Sequence, residues 1–162
     1  MIGISERGDE VSRSIAMAYP LAETEDARGW LHYMERLQST HTGTYDHGVR
    51  VALLGEKLAA ALGLRAEDGG NLVRGCFLHD IGKLVLPNEW LQQAGPLTEQ
   101  QWEAIKRHPD YGAKMLNEDG TLGETIVQIV RHHHERWDGG GYPAGLRGED
   151  IPLFARACAV VD

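Results

Sequence analysis

Five consecutive residues, His79-Asp80-Ile81-Gly82-Lys83, carry the most specific chemistry in this chain. A neutral imidazole beside a carboxylate, with an ammonium group one helical turn on, suits a divalent cation facing a phosphate. Adjacent residues on a helix point about 100° apart, so His79 and Asp80 cannot share one face. That divergence suits two neighbouring cations, the imidazole taking one and the carboxylate reaching to the other. Imidazole and carboxylate are apt ligands for iron, manganese, zinc or nickel. A bare His-Asp pair reads as no more than an N–H donor and a cap residue at a helix end. The fixed offset to Lys83, and further histidines in apolar contexts, argue for more.

Those histidines are His47, His108 and two of the run His132-His133-His134-Glu135. His47 follows Tyr45-Asp46 at the start of an apolar stretch, where Asp46 could serve as an N-cap. His108 precedes Pro109 at a helix junction. His133 falls on the stripe of Ile126, Ile129, Val130 and Trp137, with His134 beside it. Two successive imidazoles on an apolar face need two buried partners, and metal coordination supplies both. His132 falls with Thr125, Gln128 and Arg136 on the polar side and is left out of the set. His32 and His41 read as surface residues. Glu135 and Asp138 read equally as acceptors that orient imidazole N–H groups and as salt-bridge partners of Arg131 or Arg136. Gly139 to Gly141, ahead of Tyr142-Pro143, make a loop whose backbone can come close to a ligand. Taken together, these residues point to metal-dependent cleavage of a phosphodiester.

The bulk properties are compatible with that chemistry. With 162 residues, 42% hydrophobic and 25% charged, the chain is sized for one globular domain with a real core. A formal charge of −8 excludes a general DNA or RNA binder, which needs a basic stripe. An anionic substrate would then require local positive charge, which metal ions can provide. Cys76 and Cys158 lie in apolar settings and are expected to be buried thiols in a reducing compartment. No apolar run approaches the roughly 18 residues of a membrane span, and no basic start precedes an apolar stretch. Membrane contact is therefore not expected, and the cytoplasm is the expected location.

Helical periodicity recurs along the chain and strand signals are scarce. Residues 1–24 are polar and weakly patterned, and are expected to form a lead or linker ahead of a domain at 25–162. A first helix is expected from about Glu25, with Trp30, Leu31, Met34 and Leu37 on one face. Thr40 to Thr44 reads as a polar break. A second helix carries Val51, Leu54, Leu58, Ala61 and Leu62 and stops at Gly63. Leu72, Val73, Cys76 and Phe77 mark a buried helix that delivers His79-Asp80 at its C-terminal end. Thr98 with Gln101 predicts a capping-box start for a helix bearing Trp102 and Ile105. Pro109 marks the start of the next helix, and Gly120 and Gly123 bracket a break. A helix from Glu124 runs through His133 to Trp137, and Ile151-Pro152 opens a last apolar segment. The expected fold is all-α, a compact helical bundle.

Over roughly residues 40–162 the chain strongly resembles the HD-GYP family, a branch of the HD superfamily of metal-dependent phosphohydrolases. The resemblance rests on His79-Asp80-Ile81-Gly82-Lys83, Pro87, Gly95-Pro96-Leu97-Thr98 and His108-Pro109 with Gly112. It continues through His133-His134-Glu135-Arg136-Trp137-Asp138-Gly139-Gly140-Gly141-Tyr142-Pro143 with Gly145-Leu146, and Ile151-Pro152-Leu153 with Ala155-Arg156. It implies an HD-domain-like bundle around a dinuclear metal site and hydrolysis of the bacterial second messenger cyclic di-GMP to pGpG or GMP. It implies His47, His79, Asp80, His108, His133, His134 and Asp162 as ligands of two divalent cations, iron or manganese, with Asp80 bridging them. Asp80 and Lys83 would be catalytic, and Lys83, Arg136, Gly141, Tyr142 and Pro143 would contact substrate. Two cations roughly 3.5–4 Å apart activate a water and stabilise charge on the scissile phosphate.

The chain departs from the family at two points. Some members hold a third metal with a glutamate four residues before the first histidine. Gly43 stands there, so a third site is not expected. The family also continues past the equivalent of Asp162 into a helix with an Asp-Ala-Leu motif. The domain is therefore expected to be truncated, to hold metal weakly and to turn over slowly. Two other readings stand beside the leading one. A general HD nucleotide phosphohydrolase is opposed by the Gly-Tyr-Pro loop. A non-catalytic module that binds cyclic di-GMP or a diguanylate cyclase domain is opposed by the full ligand set.

Overall fold

A computed structural model describes residues 25–162 of the chain, with side chains from Gly29 onward. The expected lead at 1–24 lies outside the described residues. In chain order the helices are α1 (Glu25–Thr40), α2 (Thr42–Ala61), α3 (Ala66–Leu78), a 3-10 segment (Ile81–Val85), α4 (Asn88–Gln92), α5 (Glu99–Ile105), α6 (His108–Asp119), α7 (Glu124–His132), a second 3-10 turn (Gly148–Asp150) and α8 (Leu153–Val161). Among the described residues there is no β-strand, so the architecture is all-α. None of these helices is long and apolar enough to cross a membrane.

Helix α3 is the axis of the bundle, packing on α2, α7 and α8, while α6 packs on the 3-10 segment and on α7. Burial explains the centrality of α3: Leu72, Val73, Cys76, Phe77 and Leu78 are all at most 1% exposed. Phe77 meets Trp30 of α1 edge-on at 4.8 Å and Tyr45 of α2 at 5.6 Å. Such edge-to-face pairs add about 1 kcal/mol each to the burial of their area. On the other side of α3, Cys76 and Leu72 join Val51, Ile129 and Cys158 in a second cluster. Both cysteines are free and buried. The core thus grips α3 on two sides and fixes where its C-terminal end, His79-Asp80, must lie.

Several local expectations agree with the structure and others need correction. The capping box is present: Gln101 N donates to Thr98 Oγ1 (3.2 Å) and Thr98 N to Gln101 Oε1 (2.8 Å). The break expected over Thr40–Thr44 shrinks to His41 alone. Helical hydrogen bonds carry through it, from His41 N to Leu37 O and from Tyr45 N to His41 O. Asp46 therefore lies inside α2 and is not its N-cap, a position held by His41. Leu54, Leu62 and Trp102, which helped to mark their helices in the sequence, are 46%, 57% and 46% exposed. Helix α7 stops at His132, so Trp137 leaves its stripe and is 62% exposed.

Candidate metal centre

Every candidate ligand sits where an element ends or turns inward. His47 lies in the second turn of α2, and His79 is the C-cap of α3, with Asp80 next. His108 opens α6 three residues after α5 ends, His133 is the C-cap of α7, and His134 follows it. Asp162 ends α8. The helix termini share one device. His79 Nδ1 donates to Cys76 O (2.7 Å), His108 Nδ1 to Ile105 O (2.7 Å) and His133 Nδ1 to Val130 O (2.8 Å). Each acceptor is a carbonyl in the last turn of α3, α5 or α7, where helices leave C=O groups without an internal partner. One bond satisfies the helix end and locks the ring.

These bonds fix the chemistry of the opposite ring nitrogen. A backbone carbonyl only accepts, so Nδ1 carries the hydrogen and a neutral ring presents a bare lone pair at Nε2. His108 Nε2 and His133 Nε2 face each other at 3.2 Å, both rings buried, and His47 Nε2 and His79 Nε2 stand 3.2 Å apart. Between His108 and His133, two opposed lone pairs in a buried space call for a shared cation. Divalent metals of the first transition row suit such nitrogen and carboxylate donors.

Asp80, 3% exposed, joins the two pairs. Its Oδ1 lies 3.0 Å from His108 Nε2 and 4.0 Å from His133 Nε2, and its Oδ2 lies 3.4 Å from His79 Nε2 and 4.0 Å from His47 Nε2. Two sets of ligand atoms result, one from Asp80, His108, His133 and His134, the other from His47, His79 and Asp80. Within each set the atoms lie within 4.8 Å of one another. These two His/Asp clusters, with one carboxylate common to both, are the donor arrangement of a dinuclear metal cofactor. Asp162 Oδ1 closes the second set, 2.7 Å from His47 Nε2 and 3.3 Å from His79 Nε2. Lys83 Nζ is 2.5 Å from Asp80 Oδ2.

The electrostatics reflect this crowding. Burial alone would raise the Asp80 carboxyl, but the charge of His79, bonds from His108 and His79, and Lys83 hold it well below 3.8. Bonds to His47 and then His79 push Asp162 below the usual carboxylate range. Burial disfavours a charged His133 and lowers it well below 6.5, and burial with His108 beside it lowers His134 to about 4. His79 goes the other way. Burial opposes its charge, yet Asp80, helped by bonds to Asp162 and Asp80, raises it well above 6.5.

A prediction follows for metal binding at pH 7. Burial favours neutral rings at His133 and His134, whereas the carboxylates beside His79 favour a proton on its Nε2 that a metal must displace. Seating metal should release about one proton from this ring, and affinity should rise with pH. Calorimetry in buffers of different ionisation enthalpy measures the released protons; a value near zero would contradict the raised pKa of His79.

The loop after α7 packs against this cluster. Tyr142 N donates to His134 O (3.2 Å), and the Tyr142 ring lies 4.8 Å from the His134 ring at a 31° tilt. Gly141 is a glycine because of its own chain: a Cβ there would come within 2.5 Å of the backbone of His134, Glu135 and Arg136. The close approach expected toward a ligand is thus made first to residues 134–136. Glu135 orients no ligand imidazole. It is buried and accepts the backbone N–H groups of Ala144 (2.7 Å) and Leu146 (3.0 Å), tying the loop down. Asp138 pairs with Arg136 through two bonds of 3.2 and 2.9 Å at the surface, and its carboxyl drops to about 2.

Two histidines differ from their expected placement. His41 is 7% exposed, not a surface residue, and His132 is 8% exposed, not on a polar face. Neither enters the ligand sets. Sequence reasoning missed the backbone carbonyls that orient the rings; the signal was a histidine at or just past each of three helix ends.

Comparison with known proteins agrees with this geometry. A family profile described as "HD domain" matches residues 12–162. The 3'3'-cGAMP-specific phosphodiesterase 2 of Vibrio cholerae is 36% identical over 147 residues, 90% of this chain and 26% of its own length. A cyclic di-GMP phosphodiesterase of Pseudomonas aeruginosa is 38% identical over 162 residues, 98% of this chain and 36% of its own length. The chain therefore spans only about a quarter to a third of these curated relatives. A solved structure of an HDG"Y"P protein from Bdellovibrio bacteriovorus superposes with a TM-score of 0.64 at 28% identity, covering 73% of this chain and 39% of that one.

Proposed function

The chain belongs to the HD superfamily as an HD-GYP-like phosphohydrolase domain, and on that premise we propose that it hydrolyses cyclic di-GMP to linear pGpG. The observation that carries the reading is Asp80, whose two oxygens serve two separate sets of imidazoles. In this reading His47, His79 and Asp162 hold one cation, His108, His133 and His134 hold the other, and Asp80 lies between them. Iron or manganese fits these donors. When bound, such a pair supplies Lewis acidity and an activated water.

The chain's own residues do the remaining work. Lys83, a quarter exposed and already at the carboxylate, sets a positive charge where the phosphate gathers negative charge. Tyr142 roofs His134, and Gly141 and Pro143 hold that roof in place. Arg136, paired with Asp138 at the surface, would have to leave that carboxylate to offer a second cation to the substrate backbone. Water adds its oxygen to phosphorus, the bond from phosphorus to the 3′ oxygen breaks, and that oxygen takes up the proton. The product keeps a 5′ phosphate and gains a 3′ hydroxyl; a second round would give GMP.

The surface also suits a molecule with two nucleosides. A pocket of about 430 Å³ opens beyond Tyr142, and one of about 230 Å³ opens beyond His47 and Lys83. The likeness to the Vibrio cholerae enzyme favours a second substrate, 3′3′-cGAMP. The test is to load the protein anaerobically with iron(II) or manganese(II) and count metal by elemental analysis. Each cyclic dinucleotide is then added and linear product sought by chromatography. The expected result is about two equivalents of metal and conversion to pGpG. A metal-loaded protein that binds cyclic di-GMP without converting it would instead be a binding module.

A further inference from the structure

We propose that the pocket beyond Tyr142 is a guanine subsite and that Arg107 reads the base, an inference that rests on the phosphodiesterase reading above. The pocket, about 430 Å³, is lined by Glu103, Arg107, Asp110, Tyr111, Tyr142 and Pro143 among others. It starts where the metal centre ends, because the Tyr142 ring that lines it lies 4.8 Å from His134. A nucleotide with its phosphate on the His134 side places its sugar and base here.

The side chains then decide which base. Both carboxylates already have cations of their own: Glu103 takes Lys106 at 2.5 Å, and Asp110 takes Arg131 at 3.4 Å. Arg107 makes no ion pair among the described residues. Its guanidinium lies 5.4 Å from the centre of the Tyr111 ring, so the exposed fork is steadied without using its donors. Guanine presents O6 and N7 as paired acceptors, which an arginine fork matches in two bonds. Adenine puts an N6 amino donor in place of O6 and opposes the same fork. Tyr111 and Tyr142 supply ring faces against which any base can stack. In the pocket on the other flank the lysine, Lys83, is held at Asp80, and the side chains beyond it include the neutral amides of Asn88 and Gln92, so selection for guanine falls on the Arg107 side. Cyclic di-GMP and 3′3′-cGAMP, the two substrates of the proposed reading, share a guanosine half.

The test uses the full metal-loaded chain with Arg107→Ala, Arg107→Lys and, as a control on the neighbouring pocket wall, Lys114→Ala. Turnover of cyclic di-GMP, 3′3′-cGAMP and cyclic di-AMP is measured, with an inhibition constant replacing kcat/KM for any that is not cleaved. Arg107→Ala should lower the preference for cyclic di-GMP over cyclic di-AMP by about tenfold or more, through KM, with metal content and Tm unchanged. Arg107→Lys should restore only part of it, because a point charge cannot fork. Lys114→Ala should leave the preference where it was. An unchanged preference in Arg107→Ala, or an equal loss in Lys114→Ala, overturns the subsite while the phosphodiesterase reading stands. Wild-type protein that cleaves bis(p-nitrophenyl) phosphate but no cyclic dinucleotide overturns the substrate reading and the subsite with it.

Discussion

Asp80→Ala protein should hold less than one equivalent of metal and lose cyclic dinucleotide hydrolysis by about 1,000-fold or more, roughly 4 kcal/mol at about 1.36 kcal/mol per tenfold. The size of the effect comes from its position. Each imidazole serves one set of ligand atoms, whereas Asp80 serves both, with Oδ1 at 3.0 Å from His108 and Oδ2 at 3.4 Å from His79. Removing one imidazole, as in His47→Ala, should leave the His108, His133, His134 set able to hold a cation. Asp80→Asn keeps the volume and loses the charge, so it separates coordination from packing and should be nearly as inactive. It should also destabilise the metal-free protein at neutral pH. A carboxyl held below 3.8 stabilises the fold above that pH, and that contribution disappears as pH falls through the lowered value. Elemental analysis, turnover and thermal melts of the two variants check all three points. Two equivalents of metal in Asp80→Ala would remove the bridging role.

The second large effect is expected at a residue that coordinates nothing. A Cβ on Gly82 would sit 1.9 Å from His108 O and 2.5 Å from Gly112 N, both backbone atoms of α6. Neither can swing aside as a side chain would, so Gly82→Ala must push α6 away from the 3-10 segment. His108 rides on the first turn of that helix and would leave Asp80. We expect a loss of about 3 kcal/mol or more, a Tm lower by roughly 10 °C and failure to bind a second metal. Gly43→Ala is the matched control, since a Cβ there meets nothing within 4 Å in a helix. It should be neutral or stabilising by up to about 1 kcal/mol. If Gly82→Ala melts and binds metal like the parent protein, the close approach does not position His108.

These two residues also show what can be read from a sequence and what cannot. Asp80 stood out because its neighbours His79 and Lys83 are chemically specific, and the buried stripe of α3 predicted the helix that ends there. The capping box at Thr98 was legible because its partners are three residues apart. Gly82 looked like any turn glycine, because the α6 backbone it touches arrives from 26 or more residues along the chain. Glu135 was misread for the same reason: its partners, Ala144 and Leu146, belong to a loop that must fold back to reach it. His41 reads as a surface residue and His132 as a polar-face residue, yet both are buried. His41 lies at a one-residue kink and His132 in the last turn of α7, where a helical wheel stops describing what surrounds a side chain.

The carbonyls that hold His79, His108 and His133 have an implication for the order of assembly. Three helix C-terminal ends, the negative poles of their peptide dipoles, each hold the far nitrogen of a ring whose Nε2 faces Asp80 or Asp162. Before any ion arrives, the space between these groups attracts cations and repels a doubly negative nucleotide. If the proposed phosphodiesterase reading holds, metal occupancy would govern substrate capture as well as turnover, and metal-free protein should bind cyclic di-GMP more weakly than loaded protein in a direct binding measurement.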